Sequence, residues 1–148
     1  MSLPTMHGVG RLTADAELRF SASGVAVATV PLAFNARRYN QAAGRWEDGD
    51  VLFIRGTIFR EPAENAVETY RRGDEVVVSG RLKTEQWQDR QTGENRSRIA
   101  LLIDAIGPST RYATAAISKA ERRESAPPPG DAWNDAPAPT GFTDEPPF

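Results

Sequence analysis

The sequence predicts a small, mainly β barrel with one helix, followed by a tail that holds no fold of its own. Three observations lead there. Residues 1–110 contain nearly all of the Val, Ile, Leu and Phe in the 148-residue chain, enough for one small core. Within that stretch strand-like runs dominate, and a single segment carries helical spacing. Beyond Arg123 the text ESAPPPGDAWNDAPAPTGFTDEPPF gathers 7 of the 11 prolines. Such a segment buries too little apolar surface to offset the entropy of ordering it, and is expected to be disordered.

The elements follow in order. A first strand is expected around His7 to Leu12, continued by Glu17 to Phe20, with Gly8 and Gly10 suiting a bend or bulge. Val25 to Phe34 is rich in small and β-branched residues and reads as a strand, as does Val51 to Phe59. Pro62 to Arg72 places Ala63, Ala66, Val67 and Tyr70 at i, i+3, i+4 and i+7, the spacing of one helix face. Pro62 suits a first helical position, Arg71 and Arg72 the negative end of the dipole, and Gly73 the cap. Glu75 to Trp87 and Ser97 to Ile106 then pair as a hairpin across the polar turn Asp89 to Asn95. Three strands, a helix and a hairpin is the order of an OB-fold, a five-stranded Greek-key barrel. The expected organisation is an OB-fold domain over residues 1–110, a connector over 111–123 and an acidic, proline-rich tail over 124–148. The Ala-rich connector suits an extra strand, a short helix or a tether.

Net charge is −2 for the whole chain, a total that by itself disfavours a polyanionic ligand, but its distribution says otherwise. Residues 1–110 balance 14 Arg or Lys against 14 Asp or Glu. Residues 111–123 add +3, and residues 124–148 hold −5 with no base at all. A neutral-to-basic body with an acid tail presents a surface that its total charge conceals.

Other classes of function find little support. The chain has no cysteine, so it has no disulfide framework, thiolate zinc site or cysteine nucleophile. A phosphate loop, a nucleophile elbow and metal-ligand spacing are all absent from the text. Asp48 and Asp50 lie close together, but His7, the only histidine, reads as a structural residue at a strand or subunit contact. Neither catalysis nor a cofactor nor a metal is expected. Met1 to Leu12 lacks the apolar segment of a signal peptide, and the uncharged stretch Ser21 to Ala36 is broken by Pro31 and too short to span a bilayer. A cytoplasmic protein is the expectation.

Strand parity carries the chemistry, because residues two apart share a face. From Val51 onward one face is Leu52, Ile54, Gly56 and Ile58, which reads as purely core. The other is Val51, Phe53, Arg55, Thr57 and Phe59, where aromatics alternate with an arginine. In the next long strand Val76, Val78, Gly80 and Leu82 oppose Val77, Ser79, Arg81, Lys83, Glu85 and Trp87. Such faces fit an unpaired nucleic acid strand, whose bases stack on aromatic rings while its phosphates meet Arg or Lys. Parity by itself equally allows Phe53 and Phe59 to form a second core under the helix.

The runs GRLTADAELRFSASGVAVATVPLAFNARRYN and VLFIRGTIFREPAENAVETYRRGDEVVVSGRLKTEQWQDRQTGENR closely resemble bacterial single-stranded DNA-binding proteins. The resemblance covers roughly Met6 to Ile106. Its specific marks are GxLTxDxELRF, a helix ending at RRGD, and VVVSGRLKTxxW, while IGPSTRYATA and the final DEPPF look actinobacterial. It implies stacking positions at Tyr39, Phe53, Phe59 and Trp87, with tryptophan common elsewhere in the family at the first two. It implies phosphate contacts at Arg37, Arg38, Arg55, Arg60, Arg71, Arg72, Arg81 and Lys83. Arg71 and Arg72 equally suit solvated charges at a helix end, and Trp46, in the polar stretch AAGRWEDGD, suits loop packing more than DNA. The resemblance further implies homotetramers, DNA wrapped around them, and a nucleoid-associated role in replication, recombination and repair. It implies that Tyr112 and Ile117 anchor an extra strand clamping a dimer. The tip Asp144, Glu145, Pro146, Pro147 and Phe148 is implied to recruit replication, recombination and repair proteins. An apolar end flanked by carboxylates suits a basic-rimmed pocket. The preceding linker lacks a long glycine run, so its reach is short and stiff, as in a shorter, specialised paralogue.

Overall fold

Alternation of core and surface residues closes one sheet into a ring. The computed structural model describes residues 1–121. It contains β1 (Thr5–Leu12), β2 (Glu17–Phe20), β3 (Ala26–Asn40), β4 (Arg45–Phe59), α1 (Glu61–Thr69), β5 (Glu75–Gln88) and β6 (Asn95–Pro108). The chain divides into two compact units, Met1–Ile117 and Ser118–Phe148, and the barrel belongs to the first. The tail expected over 124–148, with its tip, lies outside the described residues.

Strand order is β1-β5-β6-β4-β3-β2, and a second pairing of β1 with β3 at Arg11↔Ala33 and Leu12↔Leu32 completes the ring. Five strands therefore form the barrel expected from the sequence. The stretch Glu17–Phe20, expected to continue β1, is instead a separate strand laid along β3 from Glu17↔Thr29 to Phe20↔Ala26. All pairings are antiparallel except β4 with β6, which run parallel over Arg55–Thr57. The interior is filled by Leu12, Ala28, Val30, Leu32, Ile54, Ile58, Val76, Val78 and Leu101, all buried. These are the alternate residues of each strand, so the period of two is realised as burial.

Helix α1 is shorter than the spacing predicts. It ends at Thr69, and Tyr70 is already extended (φ −103°, ψ 135°), its N–H donating to the Ala66 carbonyl. Burial of the Tyr70 ring beside Ala63 and Ala66 in the core accounts for the stop. Arg71 and Arg72 thus follow the helix in a turn whose Gly73 has φ 90°. There the Arg71 N–H donates to Asp74 Oδ2 at 2.8 Å and the Arg72 N–H to Asp15 Oδ1 at 2.8 Å.

Two ribbons project from the ring. Strands β3 and β4 stay paired out to Asn40↔Arg45, after a bulge between Asn35 and Arg37. The stretch AAGRWEDGD, expected as a loop, therefore supplies a tight turn at Gly44 (φ 65°) and then the start of β4. Asn40 Oδ1 accepts from the N–H groups of Ala42 and Ala43 at 3.0 and 3.2 Å, which fixes that turn. Leu52 is 49% exposed, contrary to its expected place in the core. Strand β6 meets β4 only over Arg55–Thr57, so Leu52 lies past the closed part of the ring. Strands β5 and β6 form the second ribbon, paired out to Gln88↔Asn95.

At the other end of β6 a single carboxylate ties the chain down. The Ser109 hydroxyl donates to Glu75 Oε1 at 2.6 Å, and Arg111 donates to both Glu75 oxygens at 3.0 and 2.9 Å. Arg11 Nη2 adds a contact at 3.3 Å. Hydrogen bonds from Arg111 and then Ser109 hold the Glu75 carboxyl down to about 2, so this clasp is ionised at neutral pH. Beyond it the described part of the connector forms neither strand nor helix, and Tyr112 and Ile117 stand exposed.

Candidate nucleic-acid interface

The outward side of β4 is open. Phe53 is 72% exposed and Phe59 45%, with Arg55 exposed between them, whereas Thr57 is buried and drops out of the face. Phe53 and Phe59 therefore form no second core under the helix. The reason lies in their neighbours. Opposite Phe53, Arg55 and Phe59 on β3 stand Ala33, Pro31 and Val27, short side chains that leave the larger groups proud. On the other flank β6 places Ala100 level with both Arg55 and Lys83, so a buried methyl group separates two cations on the strands either side of β6. Arg55 takes no carboxylate partner among the described residues. Arg60, at the N-cap of α1, is the one described non-glycine residue with positive φ (67°), a strained conformation that follows directly on Phe59.

On the β3–β4 ribbon, Tyr39 and Trp46 face each other across the strands. Their rings meet edge to face with centroids 5.5 Å apart, and they are 48% and 60% exposed. Trp46 therefore packs on Tyr39 yet keeps most of its surface in solvent. Arg37 lies 4.0 Å from Asp48 in an exposed pair of the kind worth little. Arg38 stands opposite Glu47 in the register.

On the β5–β6 ribbon, Trp87 is 41% exposed and the Arg98 guanidinium lies over its ring, 4.9 Å from the centroid. Arg81 grips Asp104 through Nε and Nη2 at 3.2 and 2.9 Å, and that bond raises its pKa further. The sequence presented Arg81 as an open cation; the fold gives it a bidentate carboxylate. Lys83 is two-thirds covered and 4.0 Å from Glu85. Arg71 Nη1 donates to the Tyr70 carbonyl at 3.1 Å and also to the Val67 carbonyl, closing the end of α1. His7 Nδ1 is hydrogen-bonded to Ser79 Oγ at 3.0 Å across β1 and β5.

The fold thus places Phe53, Arg55 and Phe59 on β4 and Lys83 on β5, with β6 between the two strands, and puts Tyr39 and Trp87 on the two ribbons. It places Arg71 and Arg72 in the turn after α1. Sequence reasoning leaned to loop packing for Trp46 and passed over Arg98. The parity of β6 would have found the second, because Arg96, Arg98, Ala100 and Leu102 alternate with Ser97, Ile99 and Leu101. Exposed rings interleaved with guanidinium groups can stack on unpaired bases and meet the phosphates between them.

The family model for the single-strand binding protein family matches residues 5–109. A curated single-stranded DNA-binding protein of Mycolicibacterium smegmatis is 44% identical over 162 residues, which cover 97% of this chain and 97% of that protein. Another, from Mycobacterium leprae, is 48% identical over 118 residues, covering 80% of this chain and 70% of that protein. The crystal structure of a small single-stranded DNA-binding protein from Streptomyces coelicolor is similar with a TM-score of 0.63 at 30% identity. It covers 74% of this chain and 97% of its own.

Proposed function

The chain belongs to the single-strand binding protein family, and on that premise we propose that it binds single-stranded DNA without sequence preference and protects it during replication, recombination and repair. The observation that carries this reading is the row of Phe53, Arg55 and Phe59 on β4, exposed and opposed only by small neighbours on β3. A ring in solvent costs free energy unless a ligand covers it, and a base covers it whatever its identity. In this reading Tyr39, Phe53, Phe59 and Trp87 stack, while Arg37, Arg38, Arg55, Arg60, Arg72 and Lys83 serve phosphates. Arg71 and Arg81 serve too, once their present partners yield.

Competition among matched single-stranded DNA, duplex and RNA tests the proposal. Single strands should win over duplex by a wide margin, with little difference among mixed sequences. Log affinity should fall with log salt at about −0.7 per phosphate contacted. Equal binding of duplex and single strand would sink the stacking mechanism, and preference for RNA would redirect it to 2′-hydroxyl recognition.

Self-association into a homotetramer fits the same reading. Val9 and Val77 lie side by side in the β1–β5 register, 41% and 48% exposed, and Val51 and Leu52 add further apolar surface. Tyr112 and Ile117 suit a clamp between subunits, since both stand exposed and, among the described residues, only the Arg111 guanidinium lies over the Tyr112 ring. A cytoplasmic, nucleoid-associated setting follows from the ligand. The tip Asp144 to Phe148 is proposed to recruit partner proteins through its apolar end and flanking carboxylates. Phe148→Ala should abolish capture of replication and repair proteins and leave DNA affinity unchanged, as read by pull-down and titration on the same preparations. Lost DNA binding with retained partners would overturn this division.

A further inference from the structure

We propose that Arg98 is a positioning residue for Trp87, and that Glu85 stands in for a backbone phosphate until single-stranded DNA displaces it. The inference rests on the single-strand-binding reading given above. Its basis is a cluster on the β5–β6 ribbon. The Arg98 guanidinium lies 4.9 Å from the Trp87 ring centroid, inside the range of a cation–π contact. The same guanidinium donates through Nε to Glu85 Oε2 at 3.1 Å, with Nη2 at 3.0 Å from that oxygen. Lys83 Nζ lies 4.0 Å from the other Glu85 oxygen. One carboxylate thus answers two cations beside a stacking ring.

Register produces this arrangement. Glu85 is directly opposite Arg98, and Trp87 is two residues on along the same face of β5, diagonal to Arg98. With the guanidinium over one face of the indole, a base stacks on the other. The pattern extends along the ribbon, where Arg81 has Asp104 at 2.9 Å and Arg96 has Asp89 at 3.1 Å. Arg55, on β4, has no such partner among the described residues. The ribbon is therefore charge-compensated before DNA arrives, and a phosphate entering there exchanges with a carboxylate. The Glu85 and Arg98 side chains are 23% and 38% exposed, so both reach solvent and the exchange needs no unfolding. Phosphate suits the guanidinium fork at least as well as carboxylate does.

The experiment titrates oligo(dT) into the full-length wild type, Glu85→Gln, Arg98→Ala and Arg98→Lys across a salt series, with thermal melts as the folding control. Glu85→Gln should bind about two- to fivefold more tightly at low salt. Its salt slope should steepen by about 0.7 for each cation released. Arg98→Ala should bind about three- to thirtyfold more weakly, and the Trp87 indole N–H resonance, assigned by Trp→Phe replacements, should move. Arg98→Lys should retain the salt slope but not the wild-type Trp87 resonance, since an ammonium lacks the planar stack. A folded Arg98→Ala with wild-type affinity overturns the proposal. So does a Glu85→Gln that binds more weakly than wild type, because Glu85 would then be a structural clasp. If the wild type shows no preference for oligo(dT) over duplex, the single-strand-binding reading falls first and this inference with it.

Discussion

Phe53→Ala and Trp87→Ala should each weaken binding of single-stranded DNA by about five- to 150-fold, the range set by roughly 1–3 kcal/mol for each base stacked. Phe53 gives the cleaner result. It is 72% exposed and faces Ala33 across the strands, so its removal takes little from the fold. Stability should change by no more than about 0.5 kcal/mol, and any loss of binding then belongs to the ligand contact. Trp87 also carries Arg98 on its ring, so its replacement releases that guanidinium as well as the stack. Phe59, at 45% exposure, offers a base less surface and should show the smaller effect. Phe53 on β4 and Trp87 on β5 have no strand pairing between them. If each holds its own base, their losses should add in the double replacement. Titration with oligo(dT) at one fixed salt concentration measures all four proteins. A folded Phe53→Ala that binds within twofold of wild type would remove β4 from the interface.

Gly80→Ala should destabilise the barrel by about 3 kcal/mol or more, the upper end of what overpacking costs. A Cβ at Gly80 would stand 2.2 Å from the Leu102 carbonyl oxygen and 2.9 Å from Leu101 Cδ1. The first of these is backbone and cannot rotate away. Gly80 also sits at the irregularity where the β5–β6 register shifts, so relief requires moving the ladder itself. The melting temperature should fall by about 10 °C or more. Gly107→Ala is the control, because its Cβ would meet nothing within 4 Å and its effect should be small. A Gly80→Ala protein that melts with the wild type would show that the bulge yields freely.

The two replacements probe different links of one chain of causes. The irregularity between Ser79 and Gly80 sets which residue of β5 faces which residue of β6. Beyond it the register puts Lys83 beside Ala100 and Glu85 opposite Arg98. Shifting that register by one residue would turn Lys83 and Trp87 away from the outer face, since side chains alternate with a period of two.

That period explains what was legible in the amino-acid sequence alone. Val76, Val78 and Gly80 go inward, and Arg81, Lys83 and Trp87 outward, because burial of one strand face is a local, repeating requirement written into alternate residues. The same rule put Ile54, Gly56 and Ile58 on the core face and Phe53, Arg55 and Phe59 on the opposite one, which parity alone left equally free to be open or a second core, and the order of elements announced a five-stranded barrel. Other features were decided only by the tertiary structure. Leu52 lies past the closed part of the ring, and Tyr70 ends α1 by entering the core. Trp46 sits on a ribbon held by cross-strand pairing rather than by an apolar pattern. Arg81 meets Asp104 across 23 positions of sequence, Arg98 meets Glu85 across 13, and Arg111 meets Glu75 across 36. Such pairs depend on register and ring closure, which are collective properties of strands distant in the chain. A charged side chain reads the same on paper whether its partner is solvent, a neighbouring carboxylate or a phosphate; which one it meets is decided by the strand laid beside it.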